Sequence, residues 1–335
     1  MAQLPVIAIT MGDPCGIGPE IVAKALALPE VRELCLPLVI GNAAAMRHGV
    51  QIAKAKLSVR EAEHPGDVDP SAGVISVLDP YNLNYEDLTL GQVSPIAGKA
   101  CMQWVEMAGR LCLGAGVQAM ATAPVNKEAA SLAGYKEIGH MELLQAMTKS
   151  SNVATMLMSG TLRVVHLTTH RSVRRACDAV TRENILGKLK LTDEHFKRWG
   201  FPQPRIGVAA LNPHGSDGGL LGDEEATQIE PAVNDARALG IDANGPVPAD
   251  SIFNQAIDGK YDAVLCMYHD QGHIPVKVHG FEESVAVNLG LPMVRTSVDH
   301  GTAFDIAGKG VAQAVSMVEA IKLAAMLAGG KGLPR

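Results

Sequence analysis

Short apolar runs of strand length alternate along the chain with longer stretches of helical period, the signature of βαβ construction. Val6–Thr10 reads as a buried strand, and Gly18-Pro19-Glu20 opens a helix running to about Leu28, with proline suited to a first turn. Pro37–Ile40 and Val74–Leu78 read as further strands, the second after a polar stretch over 61–73. The spacing then predicts a helix over Gly98–Gly114, a strand over Gln118–Thr122 and a helix over Asn126–Leu132. Ala154–Met158 and Leu162–Thr168 flank Ser159-Gly160-Thr161, a hairpin signal that predicts a mixed sheet. Helices are expected over Thr181–Trp199, Asp223–Leu239 and Val311–Leu327. Strands are expected over Arg205–Ala210, Tyr261–Tyr268, Val285–Leu289 and Val294–Ser297. No repeat or heptad interrupts the pattern.

The chain has 335 residues, enough for two domains or one large α/β unit. It is 47% hydrophobic but only 4% aromatic, so its core must be aliphatic, as in sheets covered by helices. The net charge of −6 and the scarcity of aromatics disfavour a nucleic-acid reader. No run of about 18 apolar residues and no basic leader is present, which predicts a soluble, cytoplasmic protein with no membrane partner. The six cysteines form no C-x-x-C pair and read as reduced, mostly buried thiols.

Four segments share one layout, an apolar strand followed at once by small and polar residues with histidine. They are His166–His170, Asn212–Gly219, Tyr268–His273 and Val298–Thr302. In open α/β sheets ligands bind beyond the carboxyl ends of strands, so these tips are expected to converge on one site. His170, His214 and His269 are apt ligands for a divalent ion, since neutral imidazoles suit Zn²⁺, Co²⁺, Ni²⁺ or Fe²⁺ and leave positions open. Acid–base catalysis by His and Asp without metal fits the same residues.

Gly12-Asp13-Pro14-x-Gly16-Ile17-Gly18-Pro19-Glu20, Asn212-Pro213-His214, Tyr268-His269-Asp270-Gln271-Gly272 and Arg295–Thr302 together resemble the 4-hydroxythreonine-4-phosphate dehydrogenase (PdxA) family of pyridoxine biosynthesis. The resemblance extends from Ile7 to about Leu327. It implies a two-domain α/β fold like that of isocitrate and isopropylmalate dehydrogenases, with a mixed sheet and an inter-domain cleft. Residues 1–135 with 295–335 would form the terminal domain, and 136–294 the central domain carrying metal ligands and dimer contacts. It further implies a homodimer with the site at the interface, and NAD- and metal-dependent oxidation, with decarboxylation, of a small anionic hydroxy acid. By the same resemblance the metal ligands fall on His170, His214 and His269, the ion being zinc, cobalt, nickel, magnesium or manganese.

The family's substrate contacts fall on His140, Met141, Lys277, Ala286 and Arg295, with Asn288 two residues beyond Ala286 on the same strand face. Lys277, Asp250 and Asp270 are the candidates for proton transfer or for orienting ligands. His300-Gly301-Thr302 through Gly310 resembles an adenosine-binding loop, in which Asp305 can accept from both ribose hydroxyls and repel a 2′-phosphate, favouring NAD over NADP. Glycines cluster at Gly12, Gly16, Gly18, Gly215, Gly218, Gly219, Gly272, Gly301, Gly308 and Gly310, and read as backbone kept bare around one cleft.

Two positions depart from the family pattern: Met141 replaces a threonine and Ala286 an asparagine. Losing two hydrogen-bond partners at about 1 to 3 kcal/mol each is enough to change specificity. The resemblance then implies a phosphorylated hydroxy acid first, 4-phosphooxy-L-threonine or a 4-phospho-threonate or erythronate, with a carboxylated cis-dihydrodiol of the terephthalate type as the alternative. A non-catalytic homologue holding metal and a small acid is the remaining alternative. His48, His64 and His195 read as solvated, Arg171, Arg174 and Arg175 as a helix face able to collect anions, and Met102, Met107, Met156 and Met158 as core.

Overall fold

The computed structural model describes residues 4–81 and 83–335. They divide into two compact α/β units, one holding the chain up to Ser150 with Leu291–Gly330, the other Ser151–Gly290 with Lys331–Arg335. Strands β1 (Val6–Thr10), β2 (Leu36–Ile40), β3 (Ser58–Glu61), β4 (Val74–Leu78) and β5 (Ala119–Thr122) lie in the first unit. Strands β6 (Ala154–Ser159), β7 (Leu162–His166), β8 (Ile206–Ala209), β9 (Ala243–Val247), β10 (Ala263–Cys266) and β11 (Val285–Leu289) lie in the second, and β12 (Arg295–Val298) returns to the first.

In the first unit the order is β3-β4-β2-β1-β5-β12, and every pair is parallel. Its central strands are almost wholly buried, and the helices Pro95–Leu113 and Val315–Ala328 pack on them. That is why β1 and β5 read as unbroken small and aliphatic runs. In the second unit the order is β11-β6-β7-β10-β8-β9, with β6 antiparallel to both neighbours and the rest parallel. The mixed sheet follows from the hairpin signal: Ser159 pairs with Leu162, leaving Gly160-Thr161 as a two-residue loop with Gly160 at φ 55°.

The boundaries fall elsewhere than at 135 and 295. Helix His140–Thr148 stays with the first unit because it lies against Pro95–Leu113, so closely that a Cβ on Gly109 would sit 2.4 Å from Met147 Cε. The last residues belong to the second unit, where the Leu333 amide donates to the Trp199 carbonyl at 3.0 Å. Strands β3 and β9 were not foreseen, the first being a polar edge strand and the second a run containing Asn, Gly and Pro, all poor strand formers. The helix expected from Gly98 starts at Pro95, with Ser94 accepting from the Ala97 amide at 3.4 Å. All six cysteines are free. Among the described residues no helix is long and apolar enough to cross a membrane.

Candidate active site

In the second unit β10 runs parallel to β7 and β8, pairing Cys266 with His166 and Leu265 with Val208. The three strands therefore deliver their carboxyl ends to one sheet edge, where His170, His214 and His269 follow. β9 is parallel to β8 and ends at Val247, which puts Asp250, in the first turn of helix Ala249–Ile257, on that edge as well. The His170 and His269 rings lie 6.1 Å apart. His214 stands on the loop Pro213–Gly219, where residues 214–218 all have positive φ, a strained conformation for the three that are not glycine.

His269 Nδ1 donates to Asp270 Oδ1 at 2.6 Å and His214 Nδ1 to Asp217 Oδ2 at 3.1 Å. Each contact fixes the tautomer that leaves Nε2 as a lone-pair donor, the arrangement found behind metal-bound imidazoles. Among the described residues no three His, Cys, Asp or Glu side chains are gathered into a ready metal cage. The donor chemistry nevertheless fits a divalent ion: three imidazoles on one edge, two of them oriented by carboxylates. Asp270 thus has a positioning contact that Asp250 lacks.

The segment after β10 is not the loop its polar composition suggests but the start of helix His269–His279, which aligns His269, His273 and Lys277 on one face. His273 stacks on His269 with ring centroids 3.6 Å apart and planes at 11°, and its Nδ1 donates to the His269 carbonyl at 3.1 Å. Behind it His166 lies 4.6 Å from His273. Its Nδ1 donates to the Thr155 carbonyl at 3.2 Å, while Nε2 is buried without a partner among the described residues. Burial, then the His273 charge, pushes its pKa down to about 3, so the ring is neutral. Helix and strand meet here because Gly272 has no side chain; a Cβ would lie 2.4 Å from His166 Nε2. The aligned i, i+4 spacing of His269 and His273 was the available signal for this stack.

Lys277 Nζ lies 4.9 Å from the Phe281 ring centroid. On β11 Asn288 is buried and donates to Thr155 Oγ1 at 3.5 Å across the strand pair. Ala286 packs partly against the apolar cluster of Leu157, Val164 and Ile252.

In the first unit Arg295, 5% exposed, donates to Thr122 Oγ1 from Nε at 3.1 Å and Nη2 at 2.6 Å. Burial pulls its pKa down to about 9, with the Glu142 charge opposing. His140 opens helix His140–Thr148, followed by half-buried Met141, and its Nε2 is buried without a partner. Burial, then the charges of Arg295 and Lys127, hold its pKa well below the ordinary imidazole value. A neutral imidazole beside a desolvated guanidinium is a perturbed pair of the kind found at functional sites. Thr122 is the last residue of β5, a strand whose tip carries no histidine, so no local pattern marks it.

The loop after β12 packs backbone to backbone on the glycine-rich motif after β1. The Ile17 amide donates to the Thr302 carbonyl at 3.0 Å, and a Cβ on Gly16 would lie 2.7 Å from that same oxygen. A Cβ on Gly18 would lie 2.3 Å from the Met11 carbonyl. These two glycines serve loop packing rather than backbone bared to a ligand, whereas Gly301 faces open space. His300 Nδ1 donates to the Gly301 carbonyl at 3.0 Å and its Nε2 is buried without a partner. Thr302 is buried, and exposed Asp305 sits in the turn Phe304–Ile306. An orphaned imidazole nitrogen, an open glycine and an exposed carboxylate fit a nucleoside.

His195 is not solvated. It is 7% exposed, accepts the Gly290 amide at Nε2 (2.9 Å), and is held neutral by burial, its pKa down to about 4.

The family model described as "Pyridoxal phosphate biosynthetic protein PdxA" matches residues 33–324. The chain belongs to the PdxA family. It is 46% identical to a 4-hydroxythreonine-4-phosphate dehydrogenase of Geobacter metallireducens over 98% of this chain and 97% of that one. It is 44% identical to a protein of Symbiobacterium thermophilum provisionally named D-threonate 4-phosphate dehydrogenase, over 98% of both. Among solved structures, 4-hydroxythreonine-4-phosphate dehydrogenase of Klebsiella pneumoniae superimposes with TM-score 0.89 at 42% identity, over 97% of this chain and 99% of that one. A terephthalate 1,2-cis-dihydrodiol dehydrogenase of Burkholderia xenovorans gives 0.66 at 30%, over 96% and 97%. The α/β fold with its mixed strand order is thus the PdxA fold, and the glycine-rich motif before residue 33 of this PdxA chain is covered by the full-length relatives.

Proposed function

We propose that the chain is an NAD-dependent, divalent-metal-dependent dehydrogenase that oxidises, with decarboxylation, a phosphorylated 3-hydroxy acid of the phosphothreonine or phosphothreonate class. The observation that carries this reading is the parallel β7-β10-β8 arrangement, which sends three histidines to one sheet edge, two of them with carboxylates on Nδ1. A divalent ion held by His170, His214 and His269 would supply Lewis acidity toward a substrate hydroxyl, and NAD the hydride acceptor.

This chain's residues do the rest. Asp270 and Asp217 hold their imidazoles in the ligating tautomer. Arg295 and His140 take an anionic group of the substrate, the guanidinium by charge and the neutral ring by hydrogen bonding. Lys277 and Asp250 are left for proton transfer, while His300, Gly301, Thr302 and Asp305 receive the adenosine end of the cofactor. The assembly is proposed to be a homodimer.

A phosphorylated substrate is preferred to a dihydrodiol acid because both kinds of relative carrying a phosphate in their names are more similar to this chain than the dihydrodiol enzyme is. Ala286, moreover, packs against the core, so its apolar character does not by itself imply an apolar ligand. NADH production from 4-phosphooxy-L-threonine, D-threonate 4-phosphate and a carboxylated aromatic dihydrodiol tests this. Turnover of a phosphate ester and none of the dihydrodiol is expected; the reverse overturns the substrate class.

A further inference from the structure

The second unit carries another cavity, of about 530 Å³, at the amino-terminal ends of β7, β8 and β10, the sheet edge opposite the histidines. Arg163, Phe201, Arg205, Asp262 and Arg335 line it. Arg163 is 4% exposed, yet its guanidinium meets only carbonyls: Nη1 donates to Asp262 O at 3.0 Å and Nη2 to Pro334 O, while Nε has no partner. The neighbouring carboxylate of Asp262 is already taken up by Arg205, which donates from Nη2 at 2.8 Å, Nε at 3.1 Å and its amide at 2.8 Å. Arg335 donates to the Gly200 carbonyl at 2.7 Å. The guanidinium carbons of Arg163 and Arg335 stand 5.1 and 5.4 Å from the Phe201 ring centroid. Two guanidiniums thus converge on one aromatic ring; among the described residues neither donates a hydrogen bond to a carboxylate, and the Asp262 charge that acts on Arg163 is shared with Arg205. Among the described residues, the other acidic side chain lining the cavity is exposed Asp258.

Keeping the buried guanidinium of Arg163 without a hydrogen-bonded carboxylate is costly, and a doubly charged anion beside it, within reach of exposed Arg335, offsets that cost. We propose that this cavity is a binding site for a small doubly charged oxyanion, a phosphate or phosphate monoester, held by Arg335 and the positive field of Arg163 over Phe201. It does not depend on the reaction proposed above, since it uses none of the same residues.

The chain has two tryptophans, Trp104 in the first unit and Trp199 in the second. Trp199 touches the cavity wall through Phe196, whose ring lies 6.3 Å from Trp199 and 5.6 Å from Phe201. Titrating the full chain with inorganic phosphate and, separately, with glycerol 3-phosphate while following tryptophan emission tests the site, with Trp104→Phe assigning the signal to Trp199. A saturable change is expected, surviving Arg295→Gln and weakened about tenfold in affinity by Arg335→Ala, as loss of a charge-assisted contact implies. Tighter binding of the ester than of phosphate identifies an ester site, and equal binding a free-phosphate site. No saturable change, or one that Arg335→Ala leaves intact while Arg295→Gln abolishes it, overturns the proposal. Arg335 is exposed, so its replacement does not endanger folding.

Discussion

The hydroxyl of Thr122 accepts from both Nε and Nη2 of Arg295 and itself donates to the Thr296 carbonyl at 3.3 Å. One small side chain at the end of β5 therefore aims a buried guanidinium. Thr122→Val keeps the shape and removes the acceptor. It is expected to cost about 1 to 3 kcal/mol in stability and to raise KM for the phosphorylated substrate about tenfold, with a smaller change in kcat. Thermal unfolding and steady-state kinetics check the two parts.

His195 makes the fold acid-sensitive. Its folded pKa, about 4, lies below the ordinary histidine value of 6.5. The unfolded chain thus takes up a proton that the folded ring refuses, and stability falls as pH drops from about 6.5 toward 4. Up to about 3 kcal/mol is involved if the whole shift is expressed. Asp13 opposes this: burial raises its pKa to about 6 from 3.8, so its contribution is present at low pH and lost as pH rises through 6. Comparing urea unfolding of the wild type and His195→Gln across this range isolates the histidine, and the variant is expected to show the shallower acid loss.

In the proposed function cofactor choice falls to Asp305, an exposed carboxylate in the turn after the open Gly301. NAD is expected to be preferred over NADP, and Asp305→Ser to reduce that preference about tenfold by removing both the ribose contact and the repulsion of a 2′-phosphate. The ratio of kcat/KM for the two cofactors measures it.

The carboxylates behind the imidazoles should show in metal affinity. Asp217→Asn and Asp270→Asn are each expected to weaken Co²⁺ or Zn²⁺ binding about 10- to 100-fold, measured by equilibrium dialysis, without unfolding the chain, since both side chains are exposed.

The position of the strand-tip histidines was legible because a buried parallel strand writes an apolar run, and the residues that follow it stand at its carboxyl end. That pattern places His170, His214 and His269 beyond the ends of β7, β8 and β10, where the structure has them. The Gly160-Thr161 turn likewise announced the antiparallel strand. His273 and His166 were harder: their roles come from stacking across a helix and a neighbouring strand, and the helix start at His269 was hidden by a polar run containing Gly272 and Pro275. Thr122 and Arg163 act through partners over 90 residues away in sequence, which no local pattern encodes. Gly16 and Gly18 looked like ligand-facing backbone because a close approach between two protein loops requires the same absent side chain as a close approach to a cofactor.

Whether the histidine edge of this dehydrogenase holds a divalent ion is decided by NADH formation from D-threonate 4-phosphate or 4-phosphooxy-L-threonine before and after chelation. Chelator is expected to abolish turnover, added Zn²⁺, Co²⁺ or Mn²⁺ to restore it, and His214→Ala to resist restoration. Undiminished NADH formation by the chelated enzyme, or by His214→Ala, would contradict it.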